Sequence, residues 1–191
     1  MLEDIKQKIH GFEKIFCDID LSEQEILDQL INLREKFCTT EEQFHTFKIL
    51  IENYSENLKS TNKNFFFNDY DKLEFFKLIN QENKLFRYIN YRFKYITYPL
   101  HKKIDSFPPC IQIEPSSICN FRCVMCFQTD KTFSSDKKEH MGLMKFDLFK
   151  KVIDQITGKI EAVTFASRGE PTLNKNFSKF LSYCKDKFVA L

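Results

Sequence analysis

Three cysteines, Cys119, Cys123 and Cys126, stand in a C-x3-C-x2-C spacing directly after the apolar run Ile111-Gln-Ile-Glu-Pro115. No other stretch constrains the fold as tightly, because a strand that ends in a loop of three close thiols directs three sulfurs at one point. Thiolate is a soft ligand that suits iron–sulfur clusters or zinc. The count of three is informative. A cubane [4Fe–4S] cluster held by three thiolates keeps one iron free for an outside ligand, whereas a structural zinc site is closed by a fourth protein ligand. Cys110 and His140 are the candidates for a fourth ligand if the metal is zinc.

A second signal lies downstream, where the strand-like run Lys159-Ile-Glu-Ala-Val-Thr-Phe165 leads into Ala166-Ser-Arg-Gly-Glu-Pro171. The two motifs together resemble the radical S-adenosylmethionine (SAM) superfamily, whose members carry C-x3-C-x-Φ-C after the first barrel strand and a Gly-Glu-Pro-type motif after the second. The wording Glu114-Pro-Ser-Ser-Ile-Cys-Asn-Phe-Arg-Cys-Val-Met-Cys-Phe127 is most similar to the branch that includes SPASM-type enzymes. The resemblance covers roughly residues 110–191; residues 1–106 resemble no family.

That resemblance implies roles residue by residue. Cys119, Cys123 and Cys126 would ligate three irons of a [4Fe–4S] cluster, and SAM would chelate the fourth through its amino and carboxylate groups. Gly169, Glu170 and Pro171 match the second motif: the glycine lets backbone come close to the ligand, and Glu170 is an anionic partner for the SAM ammonium. Arg168 replaces the first glycine often found there and receives no SAM role, although its guanidinium is a candidate substrate contact. Met125 takes the Φ position beside the adenine, where a soft side chain can substitute for an aromatic one. Asn120 is expected to bond the loop's own backbone. The activity implied is one-electron reduction of SAM to methionine and a 5′-deoxyadenosyl radical that abstracts hydrogen from substrate, with the protein supplying geometry. The branch leans toward a peptide or protein substrate, and an electron donor such as flavodoxin or ferredoxin is the expected partner.

The chain in order reads as an all-α N-terminal region, residues 1–106, followed by an α/β region, residues 107–191. Residues 2–16 carry Ile5, Ile9, Phe12 and Phe16 at helical spacing. Ser22-x-x-Glu25 and Thr39-x-x-Glu42 are capping boxes, each opening an apolar stripe: Ile26, Leu27, Leu30, Ile31 and Phe37, then Phe44, Phe47, Ile51 and Tyr54. After the polar break Ser60–Asn64, helices are predicted over 69–80 and 82–98, the second stopped by Pro99. Past the linker Ser106-Phe-Pro-Pro109 the pattern is strand 111–115, cysteine loop 116–127, polar loop 128–143, helix 145–157 with Gly158 as its stop, strand 159–165, loop 166–173 and helix 176–186. Alternating βαβα predicts a parallel sheet with right-handed crossovers. The resemblance makes these the first βα units of a partial (β/α)6 barrel, with both motifs at the strand ends where such barrels hold their sites. Phe188-Val-Ala-Leu191 reads as the opening of a third strand, so the expectation is a radical SAM domain cut after its second βα unit, able to bind a cluster but with weak or no turnover alone.

Composition narrows the classes further. A formal net charge of +2 over 191 residues gives no whole-chain case for nucleic acid or acidic membrane. No stretch approaches the ~18 uninterrupted apolar residues of a membrane span, and no apolar leader opens the chain. Seven cysteines, an odd number, fit reduced thiols in a cytoplasm better than a disulfide framework. Cys17, Cys38 and Cys184 lie on apolar helical faces as small buried hydrophobes. His10, His45, His101 and His140 show no metal spacing among themselves. Two other classes stand beside the radical SAM reading. A zinc-bound structural or interaction module would use the same cysteines. A nucleic-acid-binding helical protein would use Lys84, Arg87, Arg92 and Lys94 among Phe86, Tyr88, Tyr91 and Tyr95, with Lys102 and Lys103 beyond; the preferred reading of that helix is packed tyrosines and solvated cations.

Overall fold

The computed structural model describes residues 22–58, 69–130, 132, 134, 141–166 and 168–191. The predicted helix 2–16, His10, Cys17, the break Ser60–Asn64 and His140 lie outside them. The chain divides into two compact units, one ending at Thr97 and the other beginning at Tyr98. No helix among the described residues is long and apolar enough to cross a membrane.

The first unit is helical, and its caps explain where each helix begins. Helix α1 (Glu23–Phe37) opens on the expected box: the Glu25 amide donates to Ser22 Oγ at 3.2 Å and the Ser22 amide to Glu25 Oε2 at 2.7 Å. These bonds satisfy donors that no helical carbonyl reaches. In helix α2 (Glu41–Leu58) the box sits one residue later than predicted. Thr40 Oγ1 accepts the Gln43 amide at 3.3 Å, and Gln43 Oε1 accepts the Thr39 and Thr40 amides at 2.9 and 3.2 Å. Glutamine closes the box as well as glutamate does, so Thr-Thr-Glu-Glu-Gln permits either register. The buried stripe of α2 is Phe47, Leu50 and Tyr54; Phe44, expected on it, is 47% exposed.

Helices α3 (Asp69–Leu78) and α4 (Glu82–Leu100) are joined through a buried charge. Asp71, 1% exposed, accepts from Arg92 Nε at 2.7 Å and from the Tyr88 hydroxyl at 3.1 Å. Phe86 stacks on Phe47 at 5.1 Å and meets Phe37 at 5.6 Å, which ties α4 to α1 and α2. Helix α4 runs through Pro99 rather than stopping before it. A proline in the last turn forfeits one backbone bond. The end is made instead by Lys102 at φ 51°, with its amide on Pro99 O at 3.3 Å and the Lys103 amide on Tyr98 O at 2.9 Å. This is the two-bond helix end usually built on glycine.

In the second unit, strands β1 (Cys110–Gln112) and β2 (Ala162–Thr164) pair in parallel, Ile111 opposite Val163. The Ile113 amide extends the ladder onto Thr164 O at 2.8 Å. Helix α5 (Phe146–Ile156) connects them and buries Phe149, Ile153 and Ile156; helix α6 (Phe177–Cys184) adds Phe180 and Cys184 to the same core. Phe149 and Phe180 stack at 4.0 Å, an apolar contact that fixes the two helices against one sheet face.

Both strands are shorter than predicted, for local reasons. Residue 158 is a glycine at φ 76°, as a helix stop requires. The Lys159 and Ile160 amides then both fold back onto Ile156 O, so neither can join the sheet until Ala162. Past Ile113 the chain leaves β2, and Ser116 pairs antiparallel with Leu143. On the other side of β2, Ala190 bridges Ala162 in parallel, with the Val163 amide on Ala190 O at 3.0 Å. The last residues therefore extend the parallel pattern to a third position.

Candidate functional site

The cysteine loop leaves the sheet through a pinned neck. The Ser117 amide donates to Gly142 O at 3.0 Å, the Gly142 amide to Ser117 Oγ at 2.7 Å, and the Met144 amide to Pro115 O at 2.9 Å. The cysteine loop thus leaves the sheet from a fixed point. Asn174, 2% exposed, secures the neck from below, its Nδ2 donating to Pro115 O at 2.8 Å and Met144 O at 2.9 Å.

Within the loop Cys119 and Cys126 are half-buried and Cys123 is exposed; all three are free thiols. The Phe121 amide points at Cys119 Sγ at 3.4 Å. The Cys126 amide donates to Cys123 O at 2.9 Å, and Cys126 caps a one-turn 3-10 helix, Phe127–Thr129. Arg122 Nη1 bonds the carbonyls of Cys119 and Phe121 at 2.9 and 2.7 Å. The loop-bonding role expected of Asn120 therefore falls to Arg122, whose longer side chain reaches two carbonyls while Asn120 is exposed. Val124 and Met125 stand 93% and 85% exposed, so the crest of the loop is open. Among the described residues no three Cys, His, Asp or Glu side chains form a ready-made metal site. The three thiols share one loop without yet converging. Cys110 opens β1 opposite Ala162, at the other end of the strand from that loop. His45 and His101 are exposed.

The second motif locks onto the first. A Cβ on Gly169 would lie 1.9 Å from Ser116 O and 2.8 Å from Ile118 O, so only glycine lets the two backbones touch. The close approach predicted for this glycine is thus made to the neighbouring loop of the chain itself. The Glu170 amide then donates to Ile118 O at 2.9 Å, next to Cys119. Pro171 begins a second 3-10 turn, Pro171–Leu173, capped by Glu170.

Glu170 Oε1 accepts from the Thr172 amide at 3.1 Å and the Thr172 hydroxyl at 2.5 Å. Those bonds, the hydroxyl's first, hold the carboxyl below the usual glutamate range. Its other oxygen makes no hydrogen bond to the described residues, so an ionised oxygen is left over.

Arg168 is committed elsewhere. Its Nε and Nη2 grip Glu114 Oε2 and Oε1 at 2.9 and 2.7 Å, and its own amide donates to Oε2 at 3.0 Å. This two-pronged pair holds the guanidinium against the end of β1, with the side chain still 38% exposed. The nucleic-acid helix is likewise tied into structure: Phe86 and Tyr88 are buried, Arg92 is bound to Asp71, and Lys94 lies 3.6 Å from Glu42.

Two site residues escaped the sequence reading. Gln128, 3% exposed, and Asn174 both hold carbonyls of the motif loops through long-range bonds. The available signal was an amide residue set two positions after the last cysteine and three after the proline, which spacing alone does not distinguish from a surface residue.

No known family profile matches the chain, and no solved structure does. One curated protein is similar, the tungsten-containing aldehyde ferredoxin oxidoreductase cofactor-modifying protein of Pyrococcus furiosus, 30% identical over 83 residues. That match takes in 42% of this chain and 22% of the relative, so the chain spans about a fifth of the length of the curated protein it matches.

Proposed function

We propose that the second unit carries the site of a radical SAM domain, with Cys119, Cys123 and Cys126 holding a [4Fe–4S] cluster and Gly169, Glu170 and Pro171 receiving SAM. The observation that carries this reading is the seam between the two motifs: Gly169 against Ser116, and the Glu170 amide on Ile118 O, at the C-terminal ends of two adjacent parallel strands. That end is where α/β barrels place their chemistry.

The donor set fits the group. Three free thiols lie on one exposed loop, the Phe121 amide is already directed at Cys119 sulfur, and the loop's fixed neck leaves the crest free to close as ligands bind. Glu170 keeps one carboxylate oxygen for an ammonium. Met125, open to solvent, is available to lie along an adenine. When bound, the reduced cluster and SAM supply a 5′-deoxyadenosyl radical for hydrogen abstraction. The chain's own part is to hold the two ligands side by side. The similarity to a protein named as cofactor-modifying supports an enzymatic role and leaves open a substrate that is itself a cofactor, besides the peptide or protein substrate suggested by the motif wording. A partial (β/α)6 barrel and a flavodoxin or ferredoxin donor belong to this reading.

Anaerobic reconstitution tests it. The expected result is a brown protein with about four irons and four sulfides per chain. Replacing any one of Cys119, Cys123 and Cys126 by Ala should abolish the colour, while Cys38→Ala and Cys184→Ala keep it. A colourless protein with one tight zinc would overturn the reading in favour of the zinc module.

A further inference from the structure

We infer that Gln128 is the positioning residue that fixes the SAM-binding turn relative to the cysteine loop, an inference that rests on the reading above. Its carboxamide nitrogen donates at once to Ser117 O at 2.8 Å and to Arg168 O at 3.1 Å. Ser117 is the neck residue two positions before Cys119; Arg168 immediately precedes Gly169 and Glu170. One nitrogen with two protons therefore spans the seam between the motifs.

The site is built for that span. Gln128 is 3% exposed although nearly every residue around it, from Phe121 to Asp130, is exposed or half-buried. Its two hydrogen bonds satisfy the carboxamide nitrogen away from water, as a buried polar group requires. It sits in the 3-10 turn that Cys126 caps, so a shift of Cys126 is passed directly to Gln128. The carbonyl it reaches on the far side is anchored independently, because the Arg168 amide and guanidinium are gripped by Glu114. The strut thus runs from Cys126 through Gln128 to a rigid point one residue before Gly169. It acts through the two loops and touches no ligand itself. A displacement of ~1 Å between reacting groups can cost about a hundredfold in rate, so a strut between the ligand loop and the SAM turn has a functional consequence beyond stability.

The test uses Gln128→Ala and Gln128→Met, the second keeping the volume while removing both donors. In the cluster-free protein, hydrogen exchange at the Glu170 amide should quicken at least tenfold in both variants, with helix α6 exchanging as in the wild type. After anaerobic reconstitution, iron content and visible spectrum should match the wild type. SAM affinity by calorimetry should fall about tenfold, and the change that SAM produces in the electron paramagnetic resonance signal of the reduced cluster should shrink. Unchanged SAM affinity and an unchanged SAM-induced signal would overturn the inference, as would loss of the cluster together with slowed or failed folding in both variants, which would make Gln128 merely structural. If the wild type takes up no cluster, the functional reading fails by itself, and with it the positioning role, while the exchange result still decides whether the strut exists.

Discussion

Gly169→Ala is the most direct probe of the seam. The added methyl would sit 1.9 Å from Ser116 O, 2.6 Å from Ser116 C and 2.8 Å from Ile118 O, where ordinary contact begins at 3.4 Å. All three obstacles are backbone atoms, so no side chain can swing aside. The two strands of loop must part by about 1.5 Å to relieve the worst contact. That movement stretches the Glu170 amide to Ile118 O bond, now 2.9 Å, beyond bonding distance and pulls Arg168 O away from Gln128. Overpacking of this kind costs about 1–3 kcal/mol, and a backbone donor left unpaired about 1–3 kcal/mol more. The expected loss is therefore roughly 2–6 kcal/mol, confined to the second unit. Native-state hydrogen exchange resolves the units separately, which bulk unfolding of a two-unit chain does not. Amides of Val163 and Ile113 should lose protection in proportion, while those of α1 and α2 keep theirs. Protection within about 0.5 kcal/mol of wild type throughout the second unit would refute the reasoning, because a variant so mild could not have separated the loops.

Three further outcomes are expected. Glu170→Ala should keep the cluster yet weaken SAM binding about ten- to a hundredfold; because Thr172 holds the carboxyl below its usual value, binding by the wild type should stay flat as pH falls through neutrality and decline only below 4.5, which calorimetry across pH checks. Burial pushes the Cys184 thiol up to about 11, so at pH 8 iodoacetamide should label Cys119, Cys123 and Cys126 but spare Cys184 in the native protein, and stability of the second unit should decline as pH rises from 9 toward 11, where the unfolded thiol ionises first; equal labelling in a peptide map would contradict this. Arg92→Ala strands the buried Asp71 and should destabilise the helical unit by about 3 kcal/mol, whereas pairing it with Asp71→Asn should recover much of the loss in a double-mutant cycle.

What the sequence determined by itself is what chain-local physics controls. The Ser22 box, the inward faces of α5 and α6, the stop at Gly158 and the βαβα order all follow from contacts within three or four residues and from the two periodicities of backbone geometry. The positions of both motifs after strand ends were legible for the same reason. Where two local solutions were nearly equal, as at Thr39-Thr40 and Pro99, the predicted register differs from the observed one by a residue or two. Tertiary structure alone decided who meets whom across the seam. Arg168 reads as a free cation until Glu114, 54 residues earlier, is brought under it. Gly169 reads as a glycine that makes room for a ligand, and folding adds the Ser116 backbone where its Cβ would be. Gln128 and Asn174 carry no mark in the sequence until folding brings the carbonyls of Ser117, Arg168, Pro115 and Met144 within their reach. A buried carbonyl must be paired wherever packing puts it. Packing is settled between elements far apart in the chain, so the residue that answers that need carries no mark in its own neighbourhood.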